Sequence, residues 1–300
     1  MKGIYTALIT PFKPDGRIDE DSLNRLLDQQ RRSKVDGVVI CGTTAESPTL
    51  EKNEKLWLFN KIQKDLNGSG IDIVAGTGSN DTEETIQLSL EVEKIGIKKF
   101  LLVTPYYNKP TQKGLIEHFA KVANHIQGQI ILYNVPSRTA IGLHPETVGE
   151  LASHPKIVAL KEASGDVSLT SEIRAVLDRR SIRDFSILSG DDATFFPLLC
   201  MGATGVISVT SHVIATQMKK IQTYVETGRL EEARALHDRY YPIFRDAFIE
   251  TNPAPMKWML AQLGICENRL RLPLVSVSLD AEKKLQDLMK RYRTEAGVIE

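Results

Sequence analysis

The stretch IVALKEASGD, Ile157 to Asp166, sends a run of apolar residues straight into a lysine, after which the chain turns polar. Lysine is among the residues least often buried whole. At the end of a strand it usually lets its ammonium reach water while its stem lies along the core. Whether Lys161 does so depends on the sheet to which its strand belongs. Similar runs flank it at intervals of roughly thirty residues, the length of a strand–helix–strand unit. Before it come GIYTALIT (Gly3 to Thr10), DGVVICGTT (Asp36 to Thr44), IDIVAGTG (Ile71 to Gly78), KFLLVTPYY (Lys99 to Tyr107) and QIILYNVP (Gln129 to Pro136). KIVALKE (Lys156 to Glu162) contains it, and FSILSGDD (Phe185 to Asp192) and TGVISVTS (Thr204 to Ser211) follow. Near-continuous apolar runs of this kind suit parallel strands covered on both faces.

Helical periodicity fills the intervals. In EDSLNRLLDQQRRSK, Leu23, Leu26 and Leu27 mark one face, and DTEETIQLSLEVEKIG opens on a capping Asp81 and closes on Gly96. Alternating strands and helices predict a parallel sheet, and eight units close most naturally into an α/β fold of the (β/α)8 TIM-barrel type. An open doubly wound sheet is the alternative. Its glycine fingerprint is absent, because GTGSND after the third run lacks the third glycine. From about Ser211 the chain reads as helical to its end, with Pro253 and Pro255 separating helices. The expected organisation is a barrel over 1–222 and a C-terminal helical region over 223–300, packed on it without a flexible linker.

Composition narrows the function. Thirty-eight basic and 38 acidic residues give a formal net charge of zero, which argues against a broad surface for nucleic acid or an anionic membrane. It also does little to keep copies of the chain apart. Cys41, Cys200 and Cys266 have neither CxxC spacing nor an even count, so free thiols in a reducing cytosol are expected. The start, MKGIYTALITPF, has none of the parts of a signal peptide, and a cytoplasmic location is expected.

In such barrels the active site forms at the C-terminal ends of the strands. Those ends carry Thr43 and Thr44, Tyr106 and Tyr107, Tyr133 followed by Arg138, Lys161, and the pair Asp191 and Asp192. No histidine, metal-ligand cluster or convergent carboxylate pair is apparent there, which disfavours metal-assisted hydrolysis, Ser–His–Asp chemistry and two-carboxylate glycoside chemistry. A lysine directed into a barrel mouth suits Schiff-base chemistry, in which a neutral amine attacks a ketone. An ammonium in water has a pKa near ~10.4, and desolvation in such a mouth favours the neutral form of a lysine. The tyrosine hydroxyl of Tyr133, one strand away, can both donate and accept the protons this chemistry moves. Taken singly, each residue has a plainer role: Tyr133 a core aromatic, Arg138 a loop ion pair, Thr43 and Thr44 a turn, Tyr107 an interface anchor, and Cys41 a small core residue.

Read in order, the motifs GTTAESPTL (Gly42 to Leu50), AGTGSN (Ala75 to Asn80), VTPYYNKPTQ (Val103 to Gln112), YNVPSRTA (Tyr133 to Ala140) and ALKEASGD (Ala159 to Asp166) form a pattern. LSGDD (Leu188 to Asp192), GVISVT (Gly205 to Thr210), ETNPAPMKW (Glu250 to Trp258) and LRLPLV (Leu270 to Val275) continue it over nearly the whole chain. The chain thereby resembles the dihydrodipicolinate synthase family, within the pyruvate-dependent class I aldolases that include N-acetylneuraminate lyase. The resemblance implies that Lys161 forms the Schiff base with pyruvate and that Tyr133 is the proton donor and acceptor. Thr43 would link Tyr133 to Tyr107, which in this family completes the site of the partner subunit. Thr44 and the carbonyl of Ile207 would hold pyruvate, and Arg138 the carboxylate of L-aspartate 4-semialdehyde. It further implies a homotetramer built as a dimer of dimers, no metal or other cofactor, and a place in the diaminopimelate route to lysine.

Two departures from the family pattern stand out. Ala45 occupies a position where glycine is common, which is expected to change only backbone freedom. Some relatives bind lysine between subunits as a feedback inhibitor, and Ser47, Asn80, Glu84 and Tyr106 match that site. Lys52 and Lys55 fall where those relatives place histidines, and a fixed ammonium there would repel a lysine ligand. Weak or absent inhibition by lysine is expected. The alternatives to the synthase are N-acetylneuraminate lyase or a keto-deoxy sugar acid aldolase, against which GTTAES and Arg138 argue, and a catalytically silent barrel used as a scaffold.

Overall fold

The computed structural model describes residues 1–292. Eight parallel strands close into a barrel in sequence order, with β1 hydrogen-bonded to both β2 and β8. They are β1 Gly3–Ala7, β2 Gly37–Ile40, β3 Asp72–Gly76, β4 Lys99–Val103, β5 Gln129–Asn134, β6 Ile157–Glu162, β7 Ser186–Ser189 and β8 Gly205–Ser208. The helices are α1 Glu20–Arg32, α2 Lys52–Leu66, α3 Thr82–Ile95, α4 Gln112–His125, α5 Pro136–Thr139, α6 Pro145–Leu151, α7 Val167–Arg179, α8 Phe195–Cys200, α9 Ser211–Glu226, α10 Leu230–Asp246, α11 Ala254–Gln262 and α12 Leu279–Tyr292. Every strand lies where an apolar run predicts one, and the open-sheet alternative is excluded by closure.

Strand alternation divides the core in two. Tyr5, Val39, Val74, Leu101, Ile131, Tyr133, Ala159, Leu188 and Ile207 fill the barrel interior. Their sequence neighbours point outward into the layer between strands and helices, where Leu132, Leu160 and Ile187 meet residues such as Leu26, Phe119 and Ile173. A two-residue side-chain period produces this partition. The leucines expected on one face of α1 are buried there. Asp81 caps α3 by accepting from the Glu84 amide, and Gly96 closes it in the left-handed conformation at φ 103°.

The ladder stops at Ile40, Val103 and Ser208, so Thr43, Thr44, Tyr106 and Tyr107 follow the strand ends, where they are expected. One sequence expectation needs correction. The C-terminal region is not helical throughout, since 263–278 separates α11 from α12 without a helix. Pro273 disfavours helix at the residue before it, and the Arg271 side chain is drawn instead to Gly16, Thr49 and Glu54 near the start of the barrel. The expected division after residue 222 falls within α9, which continues to Glu226. The C-terminal helices share one apolar core with the barrel layer. The expectation of helix beyond 292 lies outside the described residues.

Candidate active site

β5 and β6 pair with Tyr133 opposite Lys161, which sets the two side chains side by side on the inner face. Ala159, two residues before Lys161, belongs to the interior core, so Lys161 points into the barrel rather than out between strand and helices. It is only 6 % exposed, and no carboxylate forms an ion pair with it among the described residues. Its Nζ lies over the Tyr133 ring, 4.1 Å from the centroid, so the amine meets the face of the tyrosine ring. A side chain at Gly190 would collide with this stem, because a Cβ there would come within 2.9 Å of Lys161 Cγ and 2.8 Å of the Ala163 Cβ. The glycine of LSGDD is the space that the lysine occupies.

Tyr133 also forms part of the wall of a cavity of about 400 Å³ at this end of the barrel, together with Thr43, Gly42, Thr77, Val135 and Arg138. Arg138 stands exposed on the short helix α5 that follows β5, with no acidic ion-pair partner among the described residues, which leaves its planar fork available to a carboxylate. Thr43 and Thr44 occupy a 3-10 turn, Thr43–Ala45, immediately after β2. Ala45 fits there without a positive φ, its carbonyl accepting from the Thr10 hydroxyl at 2.9 Å. Glu46, which follows, takes the left-handed conformation at φ 56°. Ile207 is buried on β8 in the barrel interior. Tyr107 is set apart from this group. It is 91 % exposed at a loop tip and has φ 72°.

The residues matched to an effector site divide. Ser47, Lys55, Glu84 and Tyr106 line the same cavity. Asn80 donates from Nδ2 to the Tyr106 carbonyl at 3.2 Å. Glu84 accepts from the Ser79 hydroxyl at 2.6 Å, and burial with the nearby Glu84 charge pushes the Tyr106 hydroxyl above its ordinary pKa. Lys52 is turned away and pairs with Glu91 on α3 at 2.7 Å. Burial drives the Cys41 thiol up to about 12, as suits a core residue rather than a nucleophile.

Several groups that shape the site escape a sequence reading. Glu162 points away from the barrel interior and accepts from Asn134 Nδ2 at 2.8 Å and the Ser164 amide at 2.6 Å. Burial raises its carboxyl above the usual range against the pull of these bonds. Asn134 also accepts from the Leu143 amide, so the pair ties the loops after β5 and β6 together behind Tyr133 and Lys161. Asp192 is buried and accepts from the amides of Val209 and Thr210 at 3.1 and 2.8 Å. A histidine does stand at these strand ends, where none is expected from the sequence. His212 is buried, its Nε2 accepting from the Ile9 amide at 3.2 Å, so its Nδ1 carries the proton toward the Val209 carbonyl at 2.7 Å. Both ring nitrogens are used by backbone, and burial holds the ring neutral with a pKa of about 4.

Residues 1–292 match the model of the dihydrodipicolinate synthetase family. The chain belongs to this family. It is 44 % identical over 278 residues to the 4-hydroxy-tetrahydrodipicolinate synthase of Leptospira biflexa serovar Patoc, covering 93 % of this chain and 92 % of the relative. The fold superposes on the dihydrodipicolinate synthase of Aquifex aeolicus with a TM-score of 0.93 at 40 % identity, over 98 % of each chain. It superposes on the chloride-inhibited dihydrodipicolinate synthase of Acinetobacter baumannii complexed with pyruvate with a TM-score of 0.92 at 35 % identity, over 99 % of each. No helix among the described residues is long and apolar enough to cross a membrane.

Proposed function

We propose that this chain is a lyase of the class I aldolase type that condenses pyruvate with L-aspartate 4-semialdehyde to 4-hydroxy-tetrahydrodipicolinate, in the diaminopimelate route to lysine. Membership of a family whose members carry that activity in their names supports the substrates. The observation that carries the mechanism is Lys161, buried in the barrel beside Tyr133 with no carboxylate partner among the described residues. In its neutral form the amine attacks C2 of pyruvate, and the carbinolamine loses water once the Tyr133 hydroxyl supplies a proton. Loss of a C3 proton from the imine gives the enamine, whose C3 attacks the aldehyde carbon. The amino group of the second substrate then attacks C2, closes the ring and frees Lys161. Thr44 and the Ile207 carbonyl hold pyruvate, and Arg138 binds the second carboxylate.

Thr43 relays protons from Tyr133 to Tyr107 of the partner subunit. The exposure of Tyr107 fits a residue that reaches another copy. The assembly is a homotetramer in the cytoplasm. Borohydride reduction in the presence of pyruvate, followed by mass spectrometry, is expected to fix a pyruvate adduct on Lys161, and no adduct would overturn the reading. Turnover of N-acetylneuraminate in place of the condensation would move the chain to the neighbouring lyase activity.

The outer part of the cavity binds lysine weakly or not at all. Lys55 lines it beside Ser47, Glu84 and Tyr106 without a carboxylate in ion-pair reach among the described residues, so its ammonium opposes that of a lysine ligand.

A further inference from the structure

The C-terminal region reaches back to the threonine turn and grips it at alternate residues. Asn252 donates from Nδ2 to Thr44 Oγ1 at 2.9 Å, and both side chains are buried. Lys257, on α11, forms an ion pair with Glu46 at 2.5 Å in which both side chains are fully buried. The Lys257 ammonium also donates to the Arg269 carbonyl at 2.8 Å, and Glu46 accepts from the Arg271 amide at 2.9 Å. A threonine hydroxyl has one proton to give. With the Asn252 amide on its oxygen, and no protein acceptor for that proton among the described residues, the Thr44 hydroxyl is left as a donor. The reversed amide would leave a buried N–H group without an acceptor, a rarer defect than the unpaired Oδ1 found here.

We propose that Asn252 is a positioning residue for the 2-oxo acid: it aims the Thr44 proton at the pyruvate carboxylate, while the Glu46–Lys257 pair holds the turn on which Thr44 stands. A carboxylate only accepts hydrogen bonds, so a hydroxyl committed to donating matches it. The inference rests on the reading above, in which Thr44 holds pyruvate.

The test is the pyruvate concentration that half-saturates both turnover and borohydride trapping on Lys161, measured for Thr44→Val, Asn252→Ala, Asn252→Asp and the Thr44→Val/Asn252→Ala double variant. Asn252→Ala is expected to raise it about tenfold, the scale of one hydrogen bond to a charged group, and to leave the KM for aspartate semialdehyde unchanged. Asn252→Asp keeps the shape but, once ionised, can only accept from Thr44, and at a pH where it is ionised is expected to raise it as well. The double variant is expected to be no worse than Thr44→Val. Additive effects, or unchanged pyruvate dependence in both Asn252 variants while Thr44→Val raises it, would overturn the role of Asn252 alone. An unchanged Thr44→Val would remove Thr44 from the pyruvate site and the inference with it. Circular dichroism follows folding, and loss of the fold in both Asn252 variants would make Asn252 structural and overturn the proposal.

Discussion

Replacing Lys257 with methionine isolates the contact between the C-terminal region and the catalytic loop. Lys257 and Glu46 are fully buried at 2.5 Å, and burial pulls the Lys257 ammonium below its ordinary pKa despite the opposing pull of Glu46. Methionine matches the stem and still packs near Phe12, over whose ring the ammonium lies at 4.1 Å. Among the described residues it leaves the Glu46 carboxylate with the Arg271 amide as its hydrogen-bond donor. Removing one member of a buried pair strands its partner and costs about 3–5 kcal/mol. Spread over the unfolding entropy of a chain of this length, that lowers the melting temperature by about 5–8 °C. Glu46→Gln combined with Lys257→Met removes both charges and is expected to recover much of the loss, because two well-packed neutral groups need no pairing. Guanidinium unfolding followed by circular dichroism measures both. A loss below about 1 kcal/mol in Lys257→Met, or a double variant as costly as the sum of the single ones, would show that the pair does not anchor the loop.

Tyr133→Phe is expected to lower kcat by about 10²–10⁴-fold, the usual worth of a positioned acid–base group, with the fold intact by circular dichroism. Retained turnover would free Tyr133 of its role. Lysine at submillimolar concentration is expected to leave the rate nearly unchanged in a coupled assay, and strong inhibition would refute the repulsion assigned to Lys55. Burial raises Asp192 to about 6 and lowers His212 to about 4. Between these values the folded Asp192 keeps a proton that the unfolded chain has released, so its contribution to stability falls as pH rises. Folded His212 lacks a proton that the unfolded chain holds below 6.5, so its contribution falls as pH drops, and the two oppose. Asp192→Asn is therefore expected to steepen the loss of stability on acidification from pH 6 to 4, by up to about 1.4 kcal/mol per unit. An unchanged slope in urea titrations at several pH values would rule this out.

By itself the sequence determined the fold and the direction of Lys161. Apolar runs at regular intervals specify parallel strands covered on both faces, and the two-residue period places Ala159 and Lys161 on one side. What it overstated was helix in the C-terminal region, where 263–278 runs between α11 and α12 without one. Only closure of the barrel and the return of the C-terminal region decided the partners of the site. Asn252 meets Thr44 across 208 residues, and no local propensity, period or spacing encodes a contact of that range. Buried groups such as Glu46, Lys257, Asp192 and His212 look in sequence like ordinary surface charges. They become buried partners because three-dimensional packing takes them out of water, where an unpaired charge or amide is costly and each must find its complement.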